Sequence, residues 1–174
     1  MNESHFMIVH VRLTAGKPFQ EVVAGLDRQL GRFDPQAITA LAANRNPEEA
    51  RTKIEKMVGP SGFMLFGAMD HGALLAMVGQ KRKAIQYTIG NPLFAIQMTE
   101  HDIRAGLYAP LRVLVYENDE GQVELEYDKP SSLFGQLNDE RVKSVAAMLD
   151  RKLADLLALA ADLPAVCESC TLAD

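Results

Sequence analysis

Residues 111–127 read LRVLVYENDEGQVELEY. Two apolar, β-branched runs, 111–117 and 122–127, flank the break Asn118-Asp119-Glu120-Gly121, whose glycine suits a tight hairpin turn. The pattern predicts a β-hairpin, and a hairpin puts an antiparallel sheet at the centre of the fold. Alternation in its first strand places Arg112, Leu114 and Tyr116 on one face and Leu111, Val113, Val115 and Glu117 on the other. An arginine in a run that otherwise reads as buried calls for a partner, because its charge cannot be neutralised and its five donors need acceptors.

Working outward, residues 84–89 alternate Ala84, Gln86 and Thr88 against Ile85, Tyr87 and Ile89, which predicts another half-buried strand. Glycine-bounded apolar residues predict a strand over 63–69, and Phe6 to Leu13 predict a first strand with His10 and Arg12 on one face. Helices are announced by their starts. Pro18 suits a first turn, and Val22, Val23, Leu26, Leu30 and Phe33 follow at helical spacing to an end near Gly31 or Phe33. Asp34-Pro35 and Asn46-Pro47 are cap-plus-proline signals for helices over 35–43 and 47–58, and Asn91-Pro92 opens a short one through Thr99. One or two helical turns fit 73–80, and a short helical piece fits 130–135. From Asn138 or Asp139 the apolar series Val142, Val145, Ala146, Leu149, Leu153, Leu156, Leu157, Ala160 is the longest helical periodicity in the chain.

This order predicts an α+β fold of two layers, a mainly antiparallel sheet covered on one face by helices. A length of 174 residues suits a single domain, here 1–163 with a helical insertion at about 34–58, followed by a flexible tail over 164–174. With 48% hydrophobic and 24% charged residues the composition is globular, and a net charge of −5 repels phosphate backbones and anionic lipid. Neither nucleic acid nor membrane is expected as a partner. The N-terminus lacks the basic segment of a secretory signal and no apolar run approaches a membrane span, so a cytoplasmic protein is expected.

From Gly90 the chain reads GNPLFAIQMTEHDIRAGLYAPLRVLVYENDEGQVELEYDKPSSLFGQLNDERVKSVAAMLDRKLADLL. It resembles domain of unknown function family 302 over about 60–160. The resemblance lies in the asparagine-proline before a short helix, the glycine-leucine-x-x-proline-x-arginine-valine segment, the valine-tyrosine-glutamate strand and the terminal helix. It implies a curved antiparallel sheet of TATA-binding-protein-like architecture and a homodimer, and it implies no assigned reaction. Two departures stand out: many members pass through one helix into the second strand, without the material of 34–58, and members often have cysteine where this chain has Leu111.

Two readings of Arg112 follow. Either it pairs internally with Glu100 or Asp102 in TEHDIRAG, or its planar fork holds the carboxylate or phosphate of a ligand. Tyr87, Asn91, His101, Tyr108 and Tyr116 are its expected neighbours, and with Arg112 they form the candidate ligand site. The four histidines lack metal-ligand spacing, no nucleotide or nucleophile motif occurs, and no metal or cofactor is expected. Cys167-Glu168-Ser169-Cys170 is a C-x-x-C on the tail, without the helix start that lowers a thiol pKa. The function expected is binding of a small, anionic ligand or a protein partner by a homodimer. The alternatives are an enzyme in which Arg112 orients a small anionic substrate and His101 or Glu100 moves a proton, and a structural oligomerisation protein.

Overall fold

The computed structural model describes residues 1–164; the C-x-x-C and the expected tail from 165 onward lie outside the described residues. In chain order the elements are β1 (His10–Thr14), α1 (Phe19–Gln29), β2 (Gly31–Arg32), α2 (Pro35–Asn44), α3 (Pro47–Met57), β3 (Met64–Asp70), α4 (His71–Ala76) and β4 (Ala84–Gly90). There follow α5 (Pro92–Thr99), β5 (Leu111–Glu117), β6 (Val123–Asp128), α6 (Pro130–Phe134) and α7 (Glu140–Ala161). Short 3-10 turns lie at Ile103–Leu107 and Gly135–Leu137.

The hairpin β5–β6 pairs Val113 with Tyr127 and Val115 with Leu125 on one face, and Leu114 with Glu126 on the other. Around it the sheet runs β1-β6-β5-β4-β3-β2, antiparallel throughout except for the two-residue β2, which lies parallel to β3. This is the two-layer α+β architecture that the alternation predicts. Leu111, Val113, Val115, Val123, Leu125 and Tyr127 face the main core, which α1, α5, α6 and α7 supply from the other side. On α7, Val142, Ala146, Leu149, Leu153 and Leu157 are buried at helical spacing, so one stripe of this helix meets the sheet and α1.

The helix starts lie where the caps predict. Asp34 Oδ1 accepts from the Gln36 N–H at 2.9 Å, Asn46 Oδ1 from Glu49 at 3.2 Å and Asp139 Oδ1 from Arg141 at 2.8 Å. Three boundaries differ from expectation. Helix α4 spans His71–Ala76 where the sequence suggests turns over 73–80, because Asp70 caps it, its Oδ1 accepting from Ala73 N–H at 2.9 Å. The β1 ladder begins at His10 rather than Phe6, because its partner strand ends at Asp128 and the Lys129 N–H, donating to Val9 O, is the last rung before α6. Helix α1 stops at Gln29 rather than running to Gly31 or Phe33, because the chain there is pulled into β2: the Gly31 N–H donates to Phe63 O and Phe33 N–H to Leu65 O.

Helices α2 and α3 make a small core with the start of β3, formed by Leu41, Ile54 and Met64, with Phe33, Ile38, Phe66 and Leu93 packed against it. The pair therefore sits beside the main core as a distinct flap. The Phe33 and Phe66 rings stack at 4.1 Å between centroids and tie its base to β3.

Candidate functional site

Helices α1, α5, α6 and α7 cover one face; on the opposite face α4 lies against the end of β4 near Gln86, Leu114 and Tyr116, and the end of that face at Thr88 and Arg112 is not covered by these helices. Arg112 stands there. Its exposure differs from the buried setting that the sequence suggests: alternation says which residues share a face, and the helices cover the face of Val113, not that of Arg112.

Arg112 lines a hollow of about 550 Å³ with Thr88, Leu107, Tyr108, Pro110 and Asp128. Thr88 is its cross-strand neighbour on β4, and Asp128 lies on β6 one step beyond the Val113–Tyr127 pair. The expected internal pair does not form. Asp102 caps the following 3-10 turn and binds Arg104, with Oδ2 2.6 Å from Nη2, which holds its carboxyl below the usual range. Glu100 lies 3.5 Å from His101 Nε2. Asp128 accepts from His10 Nδ1 at 3.0 Å. Among the described residues, neither the Arg112 guanidinium nor the Tyr108 hydroxyl has a hydrogen-bond or ion-pair partner.

Of the six candidate residues, then, the structure brings Arg112 and Tyr108 to one hollow and distributes the rest. Tyr108 is held by edge-on contacts of its ring with Phe6 and Phe134, at 6.3 and 5.9 Å between centroids. Tyr87 lies on the covered face, where burial, with Asp27 adding to it, pushes its phenol up to about 12. Asn91 caps α5, accepting from Leu93 N–H at 2.9 Å and donating to Gly62 O at 3.0 Å. His101 lies just past the end of α5, beside Glu100, and is not among the residues lining the Arg112 hollow.

Tyr116 shares the Arg112 face but joins a different network. Its hydroxyl lies 2.8 Å from Glu126 Oε1 and 3.0 Å from Glu124 Oε2, and Arg12 Nε approaches the same two oxygens at 2.6 and 3.1 Å. Burial pushes the Tyr116 phenol well up, and the two carboxylates push it further. Burial alone would raise the Glu126 carboxyl; hydrogen bonds from Tyr116 and Arg12 outweigh it and hold the group low. This ladder, Thr88 and Asp128 were not legible in the sequence: a turn over 118–121 would set Tyr127 opposite Arg112, whereas the observed loop of 118–122 shifts the register by one and sets Asp128 there, and the place of Thr88 depends on the β4–β5 register.

A second concavity, about 390 Å³, lies at the end of the sheet between the α2–α3 flap and α5. Its walls are Phe33, Ile38 and Ile54 from the flap side, Phe66 and Gly90 from the strands, and Phe94, Met98, Phe134 and Leu149 from the core. The polar side chains on this wall, Asn91 and Thr99, are bonded within the protein, Thr99 to Ala95 O at 2.9 Å. An apolar residue on each of several elements carried no local signal in the sequence, since only tertiary packing collects them.

Among the described residues no cluster of three histidine, cysteine or acidic groups converges as metal ligands, and no helix is long and apolar enough to cross a membrane. No curated protein matches the chain. Among solved structures, the chain is similar to an uncharacterized conserved protein DUF302 from Bacillus stearothermophilus, at 18% identity and a TM-score of 0.61, covering 87% of this chain and 97% of that one. That likeness is one of fold. The family model described as domain of unknown function DUF302 matches residues 39–160, from within α2 almost to the end of α7. With most of its length matched, the chain belongs to the DUF302 family.

Proposed function

We propose that this domain binds a small anionic ligand in the hollow of Arg112 and Tyr108. The observation that carries the reading is the guanidinium itself, exposed in a concavity beside a phenol and without a partner among the described residues. A planar fork in such a setting meets a carboxylate or phosphate with two parallel hydrogen bonds. Thr88 adds a hydroxyl on the neighbouring strand.

The test is calorimetric titration of the protein with inorganic phosphate and with short carboxylates, beside Arg112→Ala. Charge-assisted hydrogen bonds contribute about 1.5–3 kcal/mol, so the variant should bind roughly tenfold to hundredfold more weakly. Absence of binding to the unaltered protein sinks the reading.

The enzyme alternative needs a proton-transfer group facing Arg112, and neither His101 nor Glu100 lines that hollow. The oligomerisation alternative asks for an outward apolar stripe on α7, where Leu159 is the large exposed apolar residue. A homodimer and a cytoplasmic setting belong to the proposal; what supports the former is the uncovered end of the sheet face at Arg112 and the free edge of β1, and sedimentation at micromolar concentration tests it.

A further inference from the structure

The Arg112 hollow and the apolar cavity are neighbours. They have Ala109, Pro110 and Leu111 as a common wall. On the side of the sheet away from the main core Thr88 pairs with Arg112 in the hollow, and the next residue of β4 on that side is Gly90, which lines the cavity. Two residues along a strand span roughly 6–7 Å, the length of a few methylene groups. Packing at this junction is close: a Cβ on Gly90 would lie 3.3 Å from both the Phe66 ring and Pro110, so these two side chains rest on the bare glycine backbone.

The two concavities differ in chemistry. The hollow offers a guanidinium, a phenol hydroxyl and a threonine hydroxyl, and its carboxylate, Asp128, is engaged by His10. The cavity offers aromatic and aliphatic carbon, with its polar side chains already bonded inside the protein. Ile96, half exposed, is part of its wall and extends apolar surface outward. A hydrophilic anion would leave the cavity without an occupant, and a hydrocarbon would leave Arg112 without one.

From this juxtaposition we infer that the ligand is an amphipathic acid, with a carboxylate or phosphate head at Arg112 and an aliphatic or aromatic body in the cavity beneath the α2–α3 flap. The inference rests on the reading of Arg112 as an anion anchor and adds the class of molecule.

The experiment is isothermal titration with butanoate, hexanoate, octanoate and 1-octanol, below their aggregation limits, against the unaltered protein, Arg112→Gln and Ala95→Phe. Burying a methylene should tighten binding about fourfold, so affinity climbs through the acid series. Octanoate should exceed octanol, Arg112→Gln should weaken octanoate about tenfold or more while sparing octanol, and Ala95→Phe, which fills the cavity, should weaken octanoate and spare butanoate. Affinity that depends on Arg112 but not on chain length overturns the apolar body and leaves the anion site standing. Octanol binding as well as octanoate, with no effect of Arg112→Gln, overturns the head group and the proposed function with it. Absence of binding by all four probes overturns both.

Discussion

The backbone N–H groups of Gly31 and Gly59 both donate to the carbonyl oxygen of Phe63, each at 3.0 Å. The chain therefore leaves the sheet at Gly31, builds α2 and α3, and returns to the same point. The closeness depends on the absence of side chains: a Cβ on Gly59 would lie 2.3 Å from Gly31 N and 2.4 Å from Gln29 O, and one on Gly31 would overlap the Met57 carbonyl. This clasp is what sets the flap over the apolar cavity.

Gly59→Ala is accordingly expected to destabilise the protein by about 3 kcal/mol, the upper end for overpacking, since backbone cannot yield as a flexible side chain does. A chemical denaturation midpoint reads this directly, and an unchanged midpoint would mean that the clasp is absent in solution.

Helix α7 offers a paired comparison. Leu153 is fully buried and Leu159 is 60% exposed on the same helix. Leu153→Ala should cost about 3–4 kcal/mol in denaturant unfolding and Leu159→Ala less than about 0.5 kcal/mol. Equal costs would mean that the stripe facing the sheet has been assigned to the wrong side of α7.

His10 bridges β1 and β6, its Nδ1 3.0 Å from Asp128 and its Nε2 3.2 Å from Glu126. The hydrogen bond to Asp128 raises its pKa above 6.5, with burial opposing and Glu126 assisting. A raised folded-state pKa means that this contribution is fully present below pH 6.5 and fades as pH rises through the folded value. In an NMR titration the His10 ring should shift above 6.5 and return toward it in Asp128→Asn; an identical midpoint in both proteins would remove the pair.

Glu126 has the opposite sign. Its depressed carboxyl stabilises the fold above the ordinary value of 4.5, and that contribution is lost as pH falls through the folded value. Tyr116→Phe removes a donor to it and should cost about 1–2 kcal/mol near pH 7, a difference that shrinks in acid below 4.5. A cost independent of pH would assign the effect to packing of the ring instead.

The strands and helix starts were legible because their signals are local: alternation in 84–89 and 111–127, and a capping side chain before Pro35, Pro47 and Pro92. The setting of Arg112 was legible only in half. Its neighbours on the same face follow from a period of two, but which face the helices cover is decided by Val113 and Val115 sharing one core with residues of α1 and α7, far away in sequence. The acceptors proposed for it, Glu100 and Asp102, are near in sequence but do not pair with it in the fold: Glu100 lies 3.5 Å from His101 Nε2, and Asp102 is bound by Arg104. The cavity was not legible at all, since Phe33, Phe66, Phe94, Pro110 and Phe134 meet only through tertiary structure.

Native mass spectrometry is the most direct test of Arg112 as the anchor of an acidic ligand. The protein and Arg112→Ala are each sprayed with octanoate from the same mild buffer, after matching thermal melts establish that both are folded. A 1:1 adduct is expected on the unaltered chain and is lost or strongly diminished in the variant. An adduct equally abundant on both, or on neither, contradicts that role for Arg112.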